Sequence, residues 1–184
     1  MGNRKLLNVE LGRMSAEDYG SKQESGLVVV ADNIRSAHNI GSLFRTCDCF
    51  GVDRVYLCGI SAVPPSAEIH KSALGAESSV PWEHFDDTMD VVAYLKESGY
   101  KVVSVEQTVD SVMLDRCSVA EGRFALVFGN EVEGVRQDVV DASDFSVEIP
   151  QFGSKHSLNV SVAAGVTIWH FCRLRYHGST TEYI

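Results

Sequence analysis

LVVVADNIRSAHNIGSLFRTCDCFGVDRVYLCG, Leu27–Gly59, is the stretch from which a fold class follows. Leu27–Ala31 is a short β-branched run without polar interruption, the pattern of a strand buried on both faces. After a polar loop, Ile40, Leu43, Phe44, Cys47 and Phe50 recur at helical spacing on one stripe. Asn39 is placed to cap that helix and Gly51 to end it. Arg54–Gly59 reads as the next strand. Strand, helix and strand in such close order predict a crossover unit with parallel pairing.

The alternation continues downstream. Val80–Phe85 reads as a possible strand, and Thr88–Ser98 as a helix with Met89, Val92 and Leu95 on one face. Lys101–Gln107, Phe124–Asn130 and Phe145–Pro150 read as further strands, with a short helix over Val135–Val140. Ser66–Ala76, after the chain-breaking Pro64 and Pro65, is a short helical or loop segment. A last helix, apolar on nearly every face, is expected from His156 or Ser157 to about Arg175. Such a helix must be covered, by its own sheet and a loop or by a partner subunit. The expectation is an α/β fold, a mostly parallel sheet with helices on both faces, in one domain over residues 25–175. A polar N-terminal arm (1–24) precedes it and a C-terminal tail (176–184) follows.

Composition narrows the class. The chain is 45% hydrophobic and 22% charged, as in ordinary globular proteins. Its net charge of −9 argues against a nucleic-acid partner in bulk, but contact with RNA depends on a local patch. Much of the acidity is itself local: Glu131, Glu133, Asp138, Asp141, Asp144 and Glu148 face one Arg136 between residues 124 and 150. The five cysteines form no Cys-x-x-Cys pair, so no metal site is expected, and buried thiols in a reducing cytoplasm are. Met1–Gly26 lacks the apolar core of a signal peptide, and the greasiest run, from Leu158, is too short and polar to span a bilayer.

Three segments put unusual polar residues at strand ends, where open α/β sheets place ligands. In Asn39–Thr46, Arg45 lies off the apolar stripe, beside Gly41 and Asp48. It reads either as a solvated arginine paired with Asp48 or as a charged group held for chemistry. Phe128–Val135 offers Gly129, Asn130 and Glu131 in a glycine-bounded loop, a plain turn or a backbone that a ligand can approach closely. No G-x-G-x-x-G follows the first strand, which argues against a nicotinamide or flavin enzyme. Ile149–Ala163 leaves a strand, crosses a glycine loop and enters the last helix. Ser157 there reads as a routine N-cap, whereas the Asn159 amide needs partners, in a core hydrogen bond or in a site.

In this order, N-x-G-x-x-x-R-T, F-G-N-E-x-x-G and I-P-x-x-G-x-x-x-S-L-N-V-S-V-A resemble the three signature motifs of the SpoU (TrmH-type) ribose 2′-O-methyltransferases, of the SPOUT superfamily. The resemblance covers about residues 27–175. It implies a C-terminal deep trefoil knot, S-adenosylmethionine bound in it, an RNA substrate and a homodimer, with no DNA and no membrane partner.

Position by position, the resemblance implies Arg45 as the catalytic arginine, with Asn39, Glu131, Ser157 and Asn159 completing the active site. It implies cofactor contacts at Gly129, Ile149 and Leu158, with Phe128, Asn130 and Gln151 beside them, and the pocket edge at Glu106 and Thr108. The family's proposal is that the arginine, touched by an RNA phosphate, removes the 2′-hydroxyl proton. A guanidinium that clamps the phosphate and orients the ribose would give the same dependence on Arg45. The RNA face would gather Arg35, Arg45, Arg54, His70 and Lys71, with Arg4, Lys5 and Arg13 from the arm. The lack of a separate RNA-binding domain favours transfer RNA over ribosomal RNA. A knotted cofactor- or RNA-binding protein without catalysis is the alternative.

Overall fold

The computed structural model describes residues 3–118 and 122–176. The expected tail lies outside the described residues from position 177 on. Among the described residues seven strands are present: β1 Leu27–Asp32, β2 Arg54–Cys58, β3 Trp82–Phe85, β4 Tyr100–Val105, β5 Val112–Met113, β6 Arg123–Phe128 and β7 Phe145–Glu148. The helices are α1 Ala16–Tyr19, α2 Ala37–Cys49, α3 Ala67–Ala73, α4 Ala76–Ser79, α5 Thr88–Glu97, α6 Gln137–Ala142 and α7 Val160–Tyr176. The strands form one sheet, ordered β3-β2-β1-β6-β4-β7-β5, and every pairing is parallel.

Strand alternation sorts the core into two layers. From β1, Leu27, Val29 and Ala31 face α2, α3 and α7 and pack with Leu43, Phe44, Ile69, Ile168 and Phe171. Val28 and Val30 point the other way, onto Val91, Val92 and Leu95 of α5 and Val139 of α6. Helices therefore cover both faces, as expected, and each buried Leu, Ile or Phe contributes roughly 1.5–3 kcal/mol. On the first face, α2 crosses α3 at Gly41, where a Cβ would lie 2.4 Å from the Ile69 carbonyl oxygen. The bare backbone is what permits that approach.

Several boundaries differ from expectation for local reasons. The cap of α2 is Ser36, whose hydroxyl accepts the Asn39 N–H, so Asn39 lies inside the first turn. Phe50 ends α2, and Gly51 follows with φ 64°. α6 starts two residues later than expected, because the Val135 and Arg136 amides are engaged elsewhere. α7 starts at Val160, beyond the expected His156 or Ser157. Asn159 caps it, its Oδ1 accepting the Ser161 N–H at 2.9 Å.

One face of α7 buries Ala164, Ile168, Phe171 and Cys172 in the sheet's own core. The opposite face is open in a single chain: Val162, Val166 and Trp169 are 51%, 40% and 53% exposed. In the N-terminal arm the Tyr19 hydroxyl is buried, 3.0 and 2.8 Å from the Cys47 and Val52 carbonyl oxygens. Asp53 receives Lys22 Nζ at 2.6 Å and the Ser25 and Gly26 N–H groups, which fixes the entry to β1.

Cys47, Cys58, Cys117 and Cys172 are buried cysteines, and Cys49 is exposed. Burial pushes Cys58 up to about 12. Among the described residues no cluster of three or more metal-ligating side chains occurs, and no helix is long and apolar enough to cross a membrane.

Candidate active site

The carboxyl ends of β4, β6 and β7 and the start of α7 surround a cleft of 480 Å³. Ten of the residues singled out from the sequence line it: Glu106, Phe128, Gly129, Asn130, Glu131, Ile149, Gln151, Ser157, Leu158 and Asn159. Thr108 does not; Gln107 takes that place in the wall. The Gln107 amide also donates to the His156 carbonyl at 2.9 Å, tying the end of β4 to the loop before α7. The sequence places the Glu106–Thr108 segment beside the pocket but not this contact, because its partner is a backbone carbonyl, which no side-chain pattern reveals.

The loop after β6 is a closed turn. Asn130 and Gly134 exchange N–H···O=C bonds at 3.1 Å in both directions. Asn130 Oδ1 accepts from the Val132 and Glu133 N–H groups at 2.9 and 2.8 Å, so this amide shapes the turn. A Cβ on residue 129 would lie 1.9 Å from the Gly134 carbonyl carbon. Glycine is required there by the loop's own backbone. The turn reading of Gly129 and Asn130 holds, and the close approach at Gly129 is that of Gly134.

This turn presents Glu131 to the start of α2. Glu131 Oε1 accepts from Asn39 Nδ2 at 2.8 Å and from the Ser36 N–H at 3.3 Å. A carboxylate accepts only, so it orients the Asn39 amide nitrogen toward itself and the amide oxygen away. That oxygen accepts from Asn159 Nδ2 at 3.2 Å. Asn159 Oδ1 then faces Ser161 and caps α7. The three motifs are joined in one directional chain, Asn159 to Asn39 to Glu131. Burial alone would raise the Glu131 pKa, but the Asn39 amide and the neighbouring backbone N–H groups outweigh it and hold the carboxyl below its ordinary value.

Arg45 is exposed on α2 and makes no side-chain hydrogen bond or ion pair among the described residues. The pairing with Asp48 is not formed; Arg13 is the cation whose field Asp48 feels. Arg45 lies roughly 9 Å along the helix axis from Asn39 and outside the cleft wall. The expected basic face is narrower than the sequence suggested. Arg54 pairs with Glu83 at 3.4 Å, His70 with Glu77 at 2.6 Å and Arg4 with Glu10 at 2.7 Å. Arg35, Arg45 and Lys71, with Lys5 and Arg13 of the arm, remain exposed without such a pair among the described residues.

Residues 26–169 match the SpoU rRNA Methylase family. The chain is 37% identical over 162 residues to the 23S rRNA (guanosine-2′-O-)-methyltransferase RlmB of Nitrosomonas europaea, covering 86% of this chain and 59% of that protein. It is 32% identical over 155 residues to the tRNA (guanosine(18)-2′-O)-methyltransferase of Aquifex aeolicus, covering 84% and 72%. Among solved structures, the A. aeolicus TrmH/SpoU tRNA modifying enzyme superposes with a TM-score of 0.77 at 30% identity, over 89% of this chain and 81% of that one. The AdoMet-bound rRNA methyltransferase of Sinorhizobium meliloti gives a TM-score of 0.77 at 26% identity, over 82% and 57%. The chain spans about three fifths of the length of several curated relatives, 62% and 59% in two cases. With the family match spanning residues 26–169, the chain belongs to the SpoU rRNA Methylase family.

Proposed function

We propose that this chain transfers a methyl group from S-adenosylmethionine to a ribose 2′-hydroxyl of RNA. The observation that carries the reading is the Asn159–Asn39–Glu131 chain at the edge of the 480 Å³ cleft. It unites the three motif segments beside a cavity of the size that holds a small ligand. The residues fit that cofactor: Phe128, Ile149 and Leu158 supply apolar wall, and Asn130, Gln151 and Ser157 supply polar groups.

S-adenosylmethionine supplies an electrophilic methyl group on a sulfonium. Gly129, Asn130, Ile149, Gln151 and Leu158 would hold and orient the bound molecule, with Phe128 behind them and Glu106 and Gln107 at the pocket edge. Glu131 fixes Asn39, and Asn39 with Ser157 and Asn159 positions the ribose. Glu131 suits that holding role better than a proton-accepting one, because a depressed carboxyl is a weak base. Arg45 grips the adjoining phosphate: its guanidinium offers a planar fork of N–H donors that has no carboxylate partner among the described residues. The hydroxyl proton passes to water.

The remaining family features belong to the same reading. The segment before α7 forms a deep trefoil knot. Two subunits pair across the open α7 face of Val162, Val166 and Trp169, which a soluble single chain would not leave bare. Residues 25–175 are the catalytic domain and 1–24 an arm. The protein acts in the cytoplasm on RNA, with transfer RNA favoured over ribosomal RNA; relatives named for each exist.

The test is methyl transfer from labelled S-adenosylmethionine to bulk transfer RNA and ribosomal RNA, with nuclease mapping of the 2′-O-methyl position. Label in ribose supports the reading. Cofactor binding without transfer to any RNA overturns it in favour of a non-catalytic binding protein.

A further inference from the structure

Asp32, at the carboxyl end of β1, is fully buried and lies outside the cleft wall. A buried carboxylate is costly unless hydrogen-bonded, and this one has three donors. Its Oδ1 receives Thr88 Oγ1 at 2.6 Å and Asn33 Nδ2 at 2.8 Å. Its Oδ2 receives the backbone N–H of Arg136 at 2.8 Å. The preceding backbone N–H, of Val135, donates to Glu106 Oε2 at 3.0 Å. Glu106 stands just beyond the end of β4, and β1 and β4 flank β6 on its two sides. Two consecutive amides of the chain leaving the β6 turn are therefore held by carboxylates from opposite neighbours.

We infer that Asp32, together with Glu106, is a positioning residue that sets Glu131 by clamping the exit of its loop at Val135 and Arg136. The turn itself is short and closed by Asn130 and Gly134, so it moves as a body. Glu131 stands three residues beyond β6 on the entry side of the turn, and the exit side carries the two clamped amides. Loosening the anchor tilts Glu131 away from Asn39 and releases the Asn39 amide from the orientation that Asn159 requires. Thr88 is the internal comparison, because it bonds the same carboxylate from α5 without touching the loop.

The inference rests on the methyl-transfer reading of the cleft, and its test keeps the two apart. Asp32→Asn leaves one acceptor oxygen where the parent has two. Amide hydrogen exchange over residues 130–136 of the full chain should speed up at least tenfold. Methyl transfer at saturating cofactor and RNA should fall at least tenfold. In a Glu131→Gln background Asp32→Asn should add no further loss, since both act through one contact. Thr88→Val should lower the melting temperature and leave loop exchange and transfer at the parental level. Parental exchange in Asp32→Asn overturns the clamp whatever the activity. Fast exchange with parental transfer overturns its role in positioning. If Asp32→Asn does not fold, Glu106→Gln makes the same test, because its single carbonyl oxygen cannot serve both the Val135 and Gln107 N–H groups. A parent that transfers no methyl sinks the functional reading, while the exchange comparison still decides the clamp.

Discussion

Asn159 Nδ2 donates to Asn39 Oδ1 at 3.2 Å across 120 positions of sequence. The other end of the same amide caps α7. One side chain thus has two separable jobs. Asn159→Asp keeps the oxygen that caps the helix and loses the donor. It should stay within about 0.5 kcal/mol of the parent in stability, as acidic caps do, while methyl transfer falls by more than tenfold. Asn159→Ala loses both, and should cost about 1 kcal/mol in addition. Denaturant titration and single-turnover transfer measured side by side check the pair.

Arg45→Ala removes an exposed side chain off the core stripe. Folding stability should move by no more than about 0.5 kcal/mol. Cofactor affinity should hold, and methyl transfer should drop by orders of magnitude. Arg45→Lys keeps the charge without the planar fork and should remain impaired. Parental transfer by Arg45→Ala would return the residue to the status of a solvated surface charge.

Glu131 has a folded-state pKa below its ordinary value. A depressed carboxyl contributes stability that is complete above the ordinary glutamate pKa and is lost as pH falls through the lower folded value. Glu131→Gln should therefore be less stable than the parent at neutral pH. The gap should close through that acid window. Thermal melts of both proteins from neutral to strongly acidic pH give the comparison.

The open face of α7 makes a separate prediction. Val166→Glu places a charge in the exposed apolar strip without touching the buried side of the helix. Sedimentation should report two subunits for the parent and one for the variant, with helix content unchanged. A parent that sediments as a single chain would remove the proposed pairing.

Tyr19→Phe leaves the Cys47 and Val52 carbonyls without the phenol proton. The loss should cost about 1–2 kcal/mol and make the arm before residue 19 more sensitive to protease.

Strand and helix order was legible because the signals are long and periodic. β1 and α2 needed only Leu27–Ala31 and the stripe from Ile40 to Phe50. β5 was not legible, since Val112 and Met113 make two residues with no alternation to read. Asn39 looked like a helix cap because its type suits one; Ser36, three residues earlier, suits it equally, and only the folded bond from the Asn39 N–H to the Ser36 hydroxyl shows which serves. The cleft residues were legible through the family motifs. Their supports were not: Gln107, Asp32 and Thr88 act on backbone groups or on each other across the sheet, and spacing along the chain carries no trace of that.

Asn39, Glu131 and Asn159 stand 92 and 120 positions apart in the pairs that join them. No fragment that stops short of Asn159 or begins after Asn39 contains this constellation. During synthesis the cleft is absent until its last contributing helix has docked, so ligand binding serves as a report that folding is complete. Contacts of such long range also slow folding, because loop closure must precede any gain from them. A ligand that enters only the finished cleft adds to global stability, by about 2.7 kcal/mol at a hundredfold excess over its dissociation constant. The cell's own supply of that ligand would thus set how long each finished molecule survives proteolysis.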